Sequence, residues 1–137
     1  VIQEIVELSS AEMDKRGIRY SFSNEAEDDR VLGERSQIRQ VLLNLGLNAM
    51  DAMPQGGTLS VRLYAEDRQI RIELKDTGGG IPPNLLPTIH MPFISTKKNG
   101  LGLGLSKAYA IIEEHGGSIS CSSTVGEGTV FTVCLNR

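Results

Sequence analysis

Four short runs in this chain alternate apolar and polar residues with a period of two, and they come as two hairpin pairs. Leu59, Val61 and Leu63 alternate, Ile70, Ile72 and Leu74 do the same, and Glu66-Asp67-Arg68 lies between them as a turn. The second pair, about 118–123 and 128–135, turns at Val125-Gly126-Glu127-Gly128. Strands of this kind make a sheet with one apolar face, and something else must cover it. Helical spacing supplies the cover. Ile2, Ile5, Val6 and Met13 mark a helix over 1–16 that Gly17 stops, a strong helix runs over 36–53 to Pro54, Gly56 and Gly57, and a third over about 103–115 ends at Gly116-Gly117. Ile18, Tyr20 and Phe22 read as a further strand, residues 25–29 as a solvated acidic turn, 30–33 as a short strand and 84–90 as a short helix. The expected fold is a single domain over 1–137, a two-layer α/β sandwich whose mixed, mostly antiparallel sheet carries helices on one face.

Composition narrows the classes of partner. With 137 residues, a net charge of −3, no basic block and few aromatic residues, the chain is a poor candidate for a nucleic-acid surface. No run is long enough to span a bilayer, so no membrane contact is expected of this domain. Cys121 and Cys134 are too few for a disulfide framework and lack metal-ligand spacing, which points to free thiols and the cytoplasm. A chain that begins inside a helical pattern reads as a piece of something longer.

The helix over 36–53 carries the first chemical signal. At about 100° per residue, Ile38, Val41, Leu42, Leu45, Ala49, Ala52 and Met53 form one broad apolar face. Gln40, Asn44, Asn48 and Asp51 fall in a narrow polar stripe whose far edge is again apolar, with Leu43, Leu47 and Met50. A solvated face would not be flanked on both sides in this way. The stripe fits amides aimed into a cleft, where an Asn carbonyl oxygen is a hard ligand for Mg²⁺ that adds no charge beside phosphates. Buried amides bonded to nearby backbone are the alternative.

Asp76 stands where the second hairpin strand runs into DTGGGIP at 76–82. A carboxylate at a strand end accepts a hydrogen bond from an exocyclic amine, which adenine has and guanine replaces with a carbonyl, so ATP is expected over GTP. A turn-forming Asp before glycine is the plainer reading. The second glycine cluster, GLGLGLS at 100–106, opens onto a helix, where backbone N–H groups and the helix terminus favour an anion. Between the clusters lies a stretch rich in Pro, Lys and Asn, read as a lid from which Lys97 or Lys98 reaches a phosphate. His115, in the last turn of its helix, reads as structural, and His90 has no carboxylate partner in sequence.

In order, NLGLNAMDAM at 44–53, DTGGGIP at 76–82, MPFISTKKNG at 91–100 and GLGLGLS at 100–106 resemble the N, first glycine, F and second glycine boxes of sensor histidine kinases. The tail HGGSISCSSTVGEGTVFTV is similar as well, and the F box with Phe93 looks most like the nitrogen-regulation and sporulation subgroup. The resemblance implies the Bergerat ATP-binding sandwich shared with gyrase, mismatch-repair and heat-shock chaperone ATPases. It also implies roles. Asn48 would be the Mg²⁺ ligand, with Asn44 near the phosphates. Asp76 would bind the adenine amine, aided through water by Thr129. Gly78 and Gly80 would shape the pocket floor, with Ile81 against the base. Gly100, Gly102 and Gly104, with the intervening Leu101 and Leu103, would wrap the phosphates, Lys97 would approach them, and Phe93 would anchor the lid.

Three positions bear on the chemistry the resemblance implies. Hydrolysing members of this superfamily place a Glu four residues before the metal-binding Asn; here Asn44 stands there, an amide that is no general base. Many sensor kinases carry Lys where this chain has Asp51, and Thr or Ser where it has Leu101. The expected function is therefore ATP and Mg²⁺ binding, with the γ-phosphoryl group passed to a histidine on a separate dimerisation domain and onward to a response regulator receiver domain. The alternatives are a nucleotide-gated interaction module or an ATP-hydrolysing machine.

Overall fold

A computed structural model describes residues 14–25, 35–79 and 103–136. The expected helix over 1–16 is described only at its end, where the Gly17 N–H donates to the Asp14 carbonyl at 3.2 Å. The strand expected at 30–33 and the short helix at 84–90 lie outside the described residues. In chain order the elements are β1 (Ile18–Asn24), α1 (Arg35–Asp51), β2 (Gly57–Glu66), β3 (Gln69–Asp76), α2 (Leu103–Glu114), β4 (Ser118–Thr124) and β5 (Gly128–Asn136).

The strands form one sheet in the order β1-β2-β3-β5-β4. β1 pairs parallel with β2, while the β2-β3, β3-β5 and β4-β5 pairs are antiparallel. The sheet is thus mixed and mostly antiparallel, as expected. The β2-β3 turn is tighter than read, only Asp67 and Arg68, with Asp67 at φ 57°, a left-handed conformation that Asp tolerates better than most residues. The β4-β5 loop is likewise three residues, 125–127, because Thr124 already pairs with Gly128.

Strand parity sorts the side chains. Leu59, Val61 and Leu63 of β2, Ile70, Ile72 and Leu74 of β3, and Phe131, Val133 and Leu135 of β5 are all buried on one face, with Ile38, Val41, Leu42, Leu45, Ala49 and Met53 of the α1 segment in the same cluster. Those helix positions are the predicted core side except for Ala52, which is half-buried. Met50, placed on the far edge of the polar stripe, is also buried, Leu43 packs against the core, and Leu47 stays exposed. α1 packs against α2, which contributes Ala108 and Ile112 to the core. Burial of this apolar surface is the dominant favourable term in folding.

The opposite face is polar. Arg62 pairs with Glu25, lies 3.7 Å from Glu73 and covers the Tyr64 ring at 4.2 Å. Glu25, the first residue of the expected solvated turn, is exposed and donates its N–H to the Leu63 carbonyl at 2.7 Å, while 26–29 lie outside the described residues. The Arg62 guanidinium holds its carboxyl below the usual range. Cys121 and Cys134 are both free, and strand parity puts them on opposite faces, since Cys121 faces Phe131 and Cys134 faces Ser118 in register.

Candidate nucleotide site

At one end of the helix-facing side, the apolar rows of the sheet give way to a polar one. Ser123 of β4 pairs with Thr129 of β5, Thr129 pairs with Asp76 of β3, and Asp76 pairs with Leu59 of β2. Asp76 is 2% exposed. Its Oδ1 accepts hydrogen bonds from the Gly78 N–H at 2.9 Å and the Thr129 N–H at 3.3 Å. Oδ2 accepts none among the described residues. Burial pushes the Asp76 carboxyl up from its usual range, and the two backbone donors only partly offset that push. A buried carboxylate with one oxygen satisfied and the other without a donor among the described residues is set up to accept from a ligand.

The chain beyond Asp76 is fastened on both sides. The Gly79 N–H donates to the Ala52 carbonyl just past α1 at 3.4 Å, and the Gly79 carbonyl accepts from the Gly126 N–H at 2.9 Å. Gly78 has to be glycine here, because a Cβ would stand 2.4 Å from the Ala52 carbonyl oxygen. At Gly128, with φ 135°, a Cβ would stand 2.1 Å from the Asp76 carbonyl oxygen. These two close approaches bring the end of α1, the Asp76 turn and the β4-β5 loop to one place.

The polar stripe of α1 divides into three. Asn44 is half-buried, and its Oδ1 accepts from Gln40 Nε2 at 2.7 Å. Asp51 pairs with Arg16, 2.9 Å away and 35 residues earlier in the chain. Asn48 is half-buried, and its side chain has no hydrogen bond among the described residues. Its carbonyl bonds to the Ala52 N–H at 3.1 Å, so it sits one turn before the Ala52 contact with Gly78 and Gly79.

Two weak acids stand near the polar row. Burial pushes the Cys121 thiol up to about 11, with the Asp76 charge adding to it, and the Tyr109 hydroxyl of α2 up to about 12, with Cys121 adding. Both stay protonated at neutral pH. His115 is half-buried with Nδ1 2.7 Å from the Ile111 carbonyl, the helix-end role expected of it. Leu103 and Gly104 open α2. Gly80, Ile81, His90, Phe93, Lys97, Lys98, Gly100, Leu101 and Gly102 lie outside the described residues. Ser123 was missed in the sequence, although counting back across the β4-β5 turn places it opposite Thr129.

The family described as histidine kinase-, DNA gyrase B- and HSP90-like ATPase matches residues 33–137. The chain belongs to this family. Sporulation kinase A of Bacillus subtilis (strain 168) is 35% identical over 137 residues that cover 100% of this chain, and the chain spans 23% of that relative's length. The catalytic domain of histidine kinase ThkA superposes with a TM-score of 0.90 at 34% identity, covering 99% of this chain and 90% of that one. ThkA in complex with the response regulator protein TrrA matches with a TM-score of 0.85 at 31% identity, covering 99% and 39%. Full-length ShkA in complex with AMPPNP matches with a TM-score of 0.88 at 26% identity, covering 98% and 28%. The two-layer α/β architecture of this chain is that of histidine kinase catalytic domains.

Proposed function

We propose that this domain binds Mg-ATP and presents the γ-phosphoryl group to a histidine on a separate dimerisation domain, from which a response regulator receiver domain is phosphorylated. The observation that carries the reading is the buried Asp76 carboxylate, with Oδ1 held by two backbone N–H groups and Oδ2 left to accept the adenine amine. Thr129 beside it aids through water. Asn48 supplies an amide oxygen for Mg²⁺, and its side chain, without a hydrogen bond among the described residues, fits that role. Held by Asn48, Mg²⁺ would neutralise charge on the phosphates. The family resemblance assigns Gly100, Gly102 and Gly104, with Lys97, to the phosphate end and Ile81 to the base.

Asn44 favours transfer over hydrolysis. Its amide, already accepting from Gln40, cannot take a proton from water, so the domain alone releases phosphate slowly. The binding of AMPPNP by ShkA and of a response regulator by ThkA supports the same reading. The test supplies a histidine-bearing dimerisation domain in trans with γ-labelled ATP. Label moves to that histidine with the wild-type domain and not with Asn48→Ala; rapid phosphate release with no labelled histidine overturns the reading.

A further inference from the structure

Ser123 stands between the Gly128 backbone and the Thr129 side chain. Its Oγ lies 3.1 Å from the Gly128 carbonyl oxygen and 2.9 Å from Thr129 Oγ1. A carbonyl only accepts, and a serine hydroxyl has one proton. Both contacts are hydrogen bonds at once only if Ser123 donates to Gly128 and Thr129 donates to Ser123. The frame that sets this direction is stiff: Ser123 and Thr129 are in register across the hairpin, and the Gly128 backbone is pressed against the Asp76 carbonyl.

The consequence falls on the neighbouring ligand edge. With its proton turned to Ser123, the Thr129 hydroxyl has only lone pairs left, and the adjacent Asp76 Oδ2 is an acceptor too. We infer that Ser123 is a positioning residue for base discrimination: it fixes the proton of Thr129 so that this end of the site accepts hydrogen bonds and offers none. Such an edge suits a purine bearing an exocyclic amine, directly or through a water that donates, and sets lone pair against lone pair when the purine bears a carbonyl. The inference rests on the nucleotide reading above and deepens it.

The test is calorimetric titration of the whole chain with Mg-ATP and Mg-ITP, whose base carries a carbonyl in place of the amine. Wild type prefers ATP; absence of any preference overturns the nucleotide reading and this inference together. Ser123→Ala frees the Thr129 hydroxyl to donate, so the ATP-to-ITP affinity ratio falls by roughly tenfold through weaker ATP and stronger ITP binding. Ser123→Thr, which keeps a hydroxyl, restores the ratio. Thr129→Val lowers it as well, and Ser123→Ala added to Thr129→Val changes the ratio no further, since the serine reaches the base through the threonine. Thermal melts confirm that each variant is folded. If Ser123→Ala leaves the ratio of a discriminating wild type intact, or if the two substitutions add in full, the inference falls while the nucleotide reading stands.

Discussion

Ile72 and Asp76 lie four residues apart on β3, face the same side of the sheet and are each 2% exposed, yet they do opposite things to the fold. Ile72 sits in a row with Leu63, Val133 and Ile119, where burial of apolar surface is favourable. Asp76 sits in a row with Thr129 and Ser123, where burial is a cost that two backbone N–H groups reduce without removing. One end of the inner face holds the domain together. The other end is a polar site that the apolar end supports.

The largest effect expected from this contrast is at the apolar end. Ile72→Ala should destabilise the domain by about 2–5 kcal/mol in denaturant unfolding, the range for truncating a fully buried aliphatic side chain. A loss well below that range would mean the two ends are equally soft.

Asp76→Asn should act in the other direction. The amide keeps an oxygen for the Gly78 and Thr129 N–H groups while removing the buried charge. The sign follows from the raised carboxyl value: the native state holds a proton that the unfolded chain releases near 3.8, so stability is whole below that pH and is lost as pH climbs through the raised native value. Unfolding midpoints of wild type and Asp76→Asn should therefore coincide in strong acid and separate as pH rises, with the Asn variant the more stable. A wild type that gains stability over that interval relative to the variant would reverse the assignment.

The smallest effect belongs to the outer face. Arg62→Ala removes exposed pairs with Glu25 and Glu73 and a contact with the Tyr64 ring, so the melting midpoint should move slightly at low salt and scarcely at high salt. A large, salt-independent shift would show that the outer face bears on the core.

How much was legible in the sequence follows from the range of each interaction. The core face of α1 and the inner parity of β2, β3 and β5 repeat with a local period, so Val41, Leu45, Ile72 and Asp76 could be placed by counting. Met50 could not, because its burial depends on how α1 meets the rest of the fold rather than on α1 alone. Asp51 and Glu25 find partners 35 and 37 residues away, in Arg16 and Arg62, and no local pattern announces such pairs. The Ser123 hydroxyl matters only through register across a hairpin whose loop is one residue shorter than its glycines suggested.

That the polar row recognises an adenine amine is tested most directly by titrating Mg-ATP and Mg-GTP calorimetrically into wild type and Asp76→Asn. Wild type should bind ATP the more tightly, and Asp76→Asn should narrow that margin by about tenfold to a hundredfold, the worth of a hydrogen bond to a charged group. A variant that keeps the full wild-type margin would mean that Asp76 does not read the base.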